Sequence, residues 1–393
     1  MRFIALLCLM LFSLGISGCM GPILLHKAVL GYDETISRLE REMLLINIAR
    51  THRNIPTHFT VTSRIAATFD YQTSTGLTGT IFERVGGINN YALNLGASVS
   101  ENPTLSIIPM QGEEFTRRIL MPLDEKLFQF LVFQGAPVDM VMRLMARGIE
   151  VQKEDGTFQR FILNWPIYPD EYKEFRRIAL HLAWLNANRN LFAGRLSFEE
   201  VVLSKLSSAP STNDIMQAEE KGYHWNENED DGTYELTKQT IGRVVITNYD
   251  PLILTNRERQ ELNNLAVRKP NNFVLVDIRA GYPGGSFPLF GSIKLRSFNE
   301  IIEFLAAGID STPEFNVDPD PRTVKVVLNP KTTLVITVDA DLPQEVLRIS
   351  YGGHDYAIGQ TPWDHKAFKL LYHLFQTTVT DVSRMGVPIT ISK

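Results

Sequence analysis

The sequence predicts an α+β protein: mixed helices and antiparallel sheets in two domains. Three observations carry this. Apolar residues recur with a helical period in some stretches and with a period of two in others. Strand-like runs come first, then helix-like runs, then both interspersed, without the regular long strand–helix–strand units of a doubly wound sheet. With 44% apolar and 10% aromatic residues, the 393-residue chain can bury a core of that kind.

Taken in order, Gly21 to Leu30 reads as a short tether, and a helix is expected from Asp33, its N-cap, to Arg50. Ile36, Leu39, Met43, Ile46 and Ala49 form its apolar stripe. Strands follow at Phe59–Tyr71, Thr80–Glu83, Tyr91–Val99 and Thr104–Pro109. Gly76, Gly79, Gly86-Gly87 and Asn89-Asn90 punctuate them, as in the hairpins of an antiparallel sheet. Gln111–Met121, Leu123–Phe133 and Val138–Ala146 read as three short helices, with Pro137 suited to a helix first turn. Met140, Met142 and Met145 fall at core spacing. A hairpin around Asp155-Gly156 precedes a long helix, Asp170–Asn188, on which His181 reads as structural because Leu185 stands where a second metal ligand would be. Ala193–Leu203 is a further strand.

Residues 207–232 hold Ser207-Ser208-Ala209-Pro210 and then Asn226 to Asp231, dense in acid and poor in apolar side chains. They read as a flexible loop or linker between an N-terminal domain, 33–206, and a C-terminal domain, 233–393. Beyond it, strands are expected at Tyr234–Thr237, Arg243–Thr247, Phe273–Arg279, Val324–Leu328 and Thr333–Val338. A hairpin Val346–Tyr351/Asp355–Ile358 turns at Gly352-Gly353, and a last strand covers Val387–Ile391. Helices are expected at Asn256–Val267, capped by Asn256, at Phe298–Ala307, with Ser297 and Glu300 as a capping box and Gly308 as its stop, and at Asp364–Thr378.

The first residues have a different character. Arg2 precedes the apolar run Phe3–Leu14, which is shorter than the roughly 20 residues that span a bilayer as a helix. Small residues and a cysteine follow: Leu14-Gly15-Ile16-Ser17-Gly18-Cys19. A positive end, a short apolar stretch and small residues before a cleavage point are the elements of a secretory signal, here 1–18. Ile16-Ser17-Gly18-Cys19 resembles the lipobox of bacterial lipoproteins, with Ile16 where that family favours Leu. The resemblance implies that signal peptidase reads Ile16, Ser17 and Gly18. It further implies that Cys19 carries a covalent diacylglycerol and an N-acyl chain such as palmitate, and that 19–32 is the lipidated cysteine and its tether. Two or more chains give stable anchoring. Met20, rather than Asp, follows the cysteine, which in such lipoproteins favours the outer membrane, most simply with the body facing the periplasm; a surface-facing body stays open.

Composition narrows the chemistry. With 39 basic and 44 acidic residues the net charge is −5, and loss of Arg2 makes it −6. No basic stripe is present, which argues against nucleic acid as a partner. The two cysteines are Cys8 and Cys19, so a chain starting at Cys19 has no disulfide and no cysteine-ligated metal. No Gly-x-Ser-x-Gly elbow, His-Glu-x-x-His helix or phosphate loop occurs, and Gly281–Gly285, with Pro283, reads as a turn. A calcium loop starting at Glu227 fails at position twelve, which is Lys238. The best polar cluster is His354, Asp355, Asp364 and His365, two His and two Asp that could supply an acid–base pair or a metal site. Gly352-Gly353 as a turn and Asp364 as an N-cap explain the same residues without chemistry.

Longer stretches resemble a family of proteobacterial lipoproteins of uncharacterised activity: Met43–Arg50, Gly135–Asp139, Arg296–Ile302 and Lys366–Leu371. That resemblance implies a lipoprotein and no mechanism. The expected function is a non-enzymatic structural or interaction component of a cell-envelope assembly, without a cofactor beyond its lipid, held to the membrane by its anchor and meeting envelope protein partners. The alternative is an envelope hydrolase or a glycan- or peptidoglycan-binding lipoprotein that uses exposed aromatics such as Trp165, Trp225 and Trp363.

Overall fold

The structure, a computed structural model, describes residues 20–80, 90–153, 155–228, 232–341, 343, 346–378 and 389–392. The fold is α+β. Two compact units divide it: residues 1–43, 58–115 and 379–393 form one, and residues 44–57 and 116–378 the other.

Helix α1 (Met20–His52) contributes its first residues to the first unit and Leu44 onward to the second. The expected tether is therefore helical from Met20 to Tyr32, and Asp33 is an interior residue rather than an N-cap. Pro22 sits in the first turn, where its missing N–H costs nothing. Gly31 is the only glycine after that turn, and Thr35 returns its hydroxyl to the Gly31 carbonyl at 2.7 Å.

The rest of the first unit is a three-stranded sheet in the order β1-β2-β13. Strands β1 (Thr60–Thr80) and β2 (Asn90–Pro109) pair antiparallel from Thr60↔Pro109 to Thr80↔Asn90, with one irregularity between Thr62 and Arg64. At about 3.3 Å per residue each strand is roughly 65 Å long. The sheet is thus one long hairpin instead of several short strands. Gly76 and Gly79, expected as punctuation, lie inside β1, where the ladder holds the backbone extended. Ile81 to Asn89, which include the expected Glu83 strand end and Gly86-Gly87, lie outside the described residues. At the base, Met43 Sδ accepts the backbone N–H and the hydroxyl of Thr60, each at 3.3 Å. Strand β13 (Ile389–Ser392) pairs with β2 at Thr104–Ile107.

The second unit is built on a seven-stranded sheet, β4-β3-β9-β8-β7-β5, with β6 also paired to β7. Its strands are β3 (Ala146–Gln152), β4 (Phe158–Leu163), β5 (Phe192–Leu206), β6 (Tyr223–Asn228), β7 (Thr233–Thr247), β8 (Phe273–Ile278) and β9 (Leu289–Leu295). The expected linker at 207–232 therefore falls inside one sheet: β3 to β5 precede it and β7 to β9 follow it. Ser211 and Asp214 form a capping box that starts a helix at Thr212–Glu220, and Tyr223–Asn228 pairs with Thr233–Lys238. Glu219, Glu220 and Glu227 are exposed, and the strand that carries Glu227 joins the sheet. Strand β7 runs unbroken through Lys238–Thr240 because Phe198–Glu200 of β5 pair with it there.

Helices cover this sheet. They are α2 (Glu125–Phe133), α3 (Val138–Met145), α4 (Pro169–Ala187), α5 (Thr212–Glu220), α6 (Asn256–Val267), α7 (Phe298–Ala307) and α8 (Pro362–Thr378). The β7–α6–β8 segment is a parallel crossover, and every residue of β8 after Phe273 is buried. A core cluster joins Leu196, Phe198, Val245, Leu262, Ala266 and Leu275. Every residue of α3 is buried, the three methionines completely. The α7 capping box of Ser297 and Glu300 is as predicted. The expected Asn256 cap of α6 is displaced by one residue: Thr255 is the N-cap, and Glu258 completes a capping box with it. A small sheet, β10-β12-β11, combines Ile336–Val338, His354–Ile358 and Arg348–Tyr351. Val324–Leu328 is not a strand; Val327 is 94% exposed and pairs with no neighbour.

Candidate functional site

The predicted polar cluster separates into two structural arrangements. His354 starts β12 beside the Gly352-Gly353 turn, where both glycines have positive φ. Its Nδ1 lies 2.6 Å from Oδ2 of Asp339, and Oδ1 of Asp339 accepts the Asp355 N–H at 2.8 Å. Those two donors hold the Asp339 carboxyl below the usual carboxylate range. Asp355 instead accepts the Ser350 hydroxyl. A hydroxyl, an imidazole and a carboxylate thus lie on neighbouring residues, yet the hydroxyl is bonded to Asp355 and not to the imidazole. The nucleophile–base hydrogen bond of a triad is not formed. Asp339 is the partner that sequence reading missed: it lies 15 residues upstream of His354, brought there by β10 and β12.

Asp364 is buried inside the first turn of α8. Thr361 is the cap: its Oγ1 accepts the Asp364 N–H at 3.1 Å, and Asp364 Oδ2 accepts the Thr361 N–H at 3.2 Å. The expected N-cap is therefore displaced by three residues. The second carboxylate oxygen accepts the Val335 N–H at 2.9 Å, tying the helix to the strand segment before β10. His365, next in sequence, is exposed. Among the described residues no hydrogen bond or ion pair joins His354 or Asp355 to Asp364 or His365, and no group of three metal-ligating side chains occurs.

The densest polar site of the second unit lies in its interior. Arg143 on α3 is fully buried and donates Nη2 to Glu314 at 2.7 Å, and Nη1 to the Pro330 carbonyl and Nη2 to that of Lys331, both at 2.9 Å. Glu314 also accepts the Tyr172 hydroxyl at 2.7 Å and the Thr333 hydroxyl at 2.8 Å. Arg176 on α4 pairs with Asp139, one turn before Arg143. Burial by itself would raise the Glu314 carboxyl, but Arg143 and the Thr333 and Tyr172 donors hold it below its ordinary value. Burial likewise opposes the charge on Arg143, which Glu314 and Asp139 more than offset. A carboxylate with this many donors is a fixed strut, not a proton carrier. The network clamps the irregular 314–333 segment onto α3 and α4. Its one visible signal was Asp139 and Arg143, four apart in an otherwise apolar helix.

Two other groups behave the same way. Arg296 is buried at 1% exposure, donates to the carbonyls of Arg143 and Asn164, and lies 4.0 Å over the Phe304 ring. Burial pulls it down to about 9, still protonated at neutral pH. His181 has Nδ1 3.0 Å from the Thr323 hydroxyl and Nε2 3.0 Å from the Gly284 carbonyl. Nε2 must therefore carry the proton, and Thr323 donates to Nδ1. This is a structural histidine. Gly284 in the Gly281–Gly285 turn has φ +73°, and a Cβ there would meet Leu185 at 2.6 Å, so the turn closes over the imidazole only as glycine.

The tryptophans do not form an exposed platform. Trp363 is 9% exposed with its N–H bonded to the carbonyls of Thr332 and Thr333, while Trp165, set edge-on to Phe304, and Trp225 are half-buried. An open cleft of about 450 Å³ lies between Leu120, Phe273, Lys294 and Asn299, bordered by the Arg147–Glu300 ion pair at 2.8 Å. Its lining residues form no nucleophile–base pair. Cys19 and the Ile16-Ser17-Gly18 segment lie outside the described residues, as do Glu229 to Asp231 of the acidic stretch. The chain matches no protein-family model, no curated protein and no solved structure.

Proposed function

We propose that the protein is a lipid-anchored lipoprotein of the outer membrane, facing the periplasm, and a non-enzymatic structural or interaction component of a cell-envelope assembly. One observation carries the reading: the apolar run Phe3–Leu14 followed by Ile16-Ser17-Gly18-Cys19. The interior of the second unit supports it, since its buried ionic groups are committed to holding loops on helices.

The test is expression of wild type and Cys19→Ala with labelled palmitate, followed by separation of inner and outer membranes. Label on the wild type alone, in the outer membrane, is the expected result. Unlabelled wild type, or label retained by Cys19→Ala, would sink the anchor. Co-purification from gently solubilised envelopes then reads the assembly: specific partners recovered with the anchored form support it, and a lone protein contradicts it.

A further inference from the structure

We infer that the β1–β2 hairpin spans a lipid bilayer, and that copies of this chain join their hairpins edge to edge into a closed β-barrel. The inference goes beyond the anchor reading and does not depend on Cys19. It stands on the ladder and on the residues the ladder aligns.

Directly paired residues of an antiparallel ladder share a face, and faces alternate along each strand. The register pairs odd-numbered residues with odd-numbered ones from Ile65↔Leu105 to Gly79↔Tyr91. One face therefore carries Tyr71, Leu77, Leu93, Leu95, Ala97 and Val99, interrupted by Thr73 and Thr75. The other carries Asp70, Gln72, Ser74, Asn94, Ser98 and Ser100, with Gly76, Gly96 and Ala92. A mainly apolar face opposite a polar one rich in small residues is the pattern of a strand between lipid and a water-filled lumen.

The dimensions agree. From Phe69↔Glu101 to Gly79↔Tyr91 the ladder advances ten residues on each strand. That is about 33 Å along the strand, and about 25 Å along the membrane normal at a tilt of about 40°. Outer-membrane barrels present an apolar band about 25 Å tall, flanked by aromatic residues. Here Tyr91 marks one end of the apolar face and Phe69 and Tyr71 the other. Glu101 and Pro103 then interrupt that face on the side of the strand base.

The edges require the copies. Among the described residues β13 covers only Thr104–Ile107 of β2, and no strand pairs with the outer edge of β1. In hydrocarbon every backbone N–H and C=O must be paired, which for strands means a closed barrel. Each hairpin offers one free edge of β1 and one of β2, so a ring of identical hairpins closes with antiparallel neighbours throughout.

The experiment uses the full mature chain with vesicles of phosphatidylethanolamine and phosphatidylglycerol. Single cysteines replace residues 70–78 and 92–100 one at a time, for example Leu77→Cys and Thr78→Cys, and carry an environment-sensitive dye. Emission should alternate with a period of two: odd positions blue-shifted and quenched by spin-labelled lipid, even positions quenched by aqueous iodide. Absence of the period, all positions in water, or odd positions dry but untouched by the lipid quencher would each overturn the proposal, the last by showing a face packed on protein. Cys19 is the only other thiol after the signal, and the mass of the unlabelled chain shows whether it carries lipid, so failure of the anchor reads separately. A second measurement needs no cysteine: the unsubstituted chain should give discrete conductance steps across a planar bilayer of the same lipids. Leu93→Arg should lower the frequency of these steps about tenfold or more, while Asn94→Arg should shift the pore toward anions. A silent bilayer overturns the barrel.

Discussion

The two larger sheets of this protein solve the same problem in opposite ways. In the seven-stranded sheet the central strand β8 is buried from Val274 to Ile278, because helices such as α6 cover it. Its sequence, Phe273-Val274-Leu275-Val276-Asp277-Ile278, is nearly continuous in apolar residues, as a strand covered on both faces should be. The one carboxylate is held by the Tyr249 hydroxyl at 2.6 Å and by Arg279 at 2.8 Å. Strand β2 of the β1–β2 ladder alternates instead: Leu93, Leu95, Ala97 and Val99 fall on one register and Asn94, Gly96, Ser98 and Ser100 on the other. Such alternation suits a sheet with two different solvents on its two faces. The comparison teaches that the period along a strand reports what lies on each side of it, whatever its length.

Four experiments can break or sharpen that contrast, from the largest expected effect downward. Glu314→Gln removes the carboxylate that holds Arg143, leaving a buried guanidinium short of its counter-charge. Breaking such a pair costs about 3–5 kcal/mol, read by urea unfolding of the second unit's signal. The hairpin is not part of that network, so its membrane conductance should survive wherever the chain still folds. Leu93→Arg is the converse. Leu93 lies two residues from Tyr91, toward one end of the apolar band, so the change should destabilise the inserted hairpin by about 1–2 kcal/mol and leave the urea midpoint of the second unit unchanged. Equal loss from Leu93→Arg and from the neighbouring Asn94→Arg would remove the distinction between the faces.

Ser297→Ala takes the cap from α7 and should lower unfolding stability by about 1 kcal/mol, a loss that calorimetry resolves. The smallest effect is titration of the second unit. The His181 pKa is lowered from 6.5 chiefly by burial, so the unfolded chain binds more protons below that value. Its contribution is complete above about 6.5 and is lost as pH falls toward the folded value. The Glu314 pKa is also lowered, from 4.5, so its contribution persists above 4.5 and is lost at more acid pH. Stability should therefore fall in two stages on acidification, and His181→Gln should abolish the upper stage alone. A pH dependence with the opposite slope would show that the imidazole is charged in the fold.

The sequence revealed the local chemistry better than the long-range pairing. The Ser297/Glu300 capping box, the all-core α3 and the Gly352-Gly353 hairpin were legible because each depends on a few adjacent residues. The length of β1 and β2 was not: Gly76, Gly79 and Asn90 look like turn residues unless the partner strand that holds them extended is known. Residues 207–232 misled for a related reason. Their acidic side chains resemble a linker, although Ser211 and Asp214 already spelled a helix start, and only the pairing of β6 with β7 shows that the backbone belongs to the sheet. At the polar cluster the residue types were readable and the partners were not, since Asp339 reaches His354, and Val335 reaches Asp364, through the small sheet and not through spacing. The amphipathic pattern itself was in plain view in 60–109. It became interpretable once the register placed odd residues opposite odd residues from Ile65↔Leu105 to Gly79↔Tyr91.

Amide hydrogen exchange of the full chain, with and without vesicles of phosphatidylethanolamine and phosphatidylglycerol, tests the central claim most directly. The inner strands β3, β9, β8 and β7 of the seven-stranded sheet should exchange slowly and identically in both conditions, since each is paired on both sides within the chain. Residues 65–79 of β1 and 91–103 of β2 should gain protection only with vesicles, on the outward-edge amides that no strand of the same chain covers. Vesicles that leave those amides exchanging as fast as in water would contradict the barrel and return the hairpin to the aqueous phase.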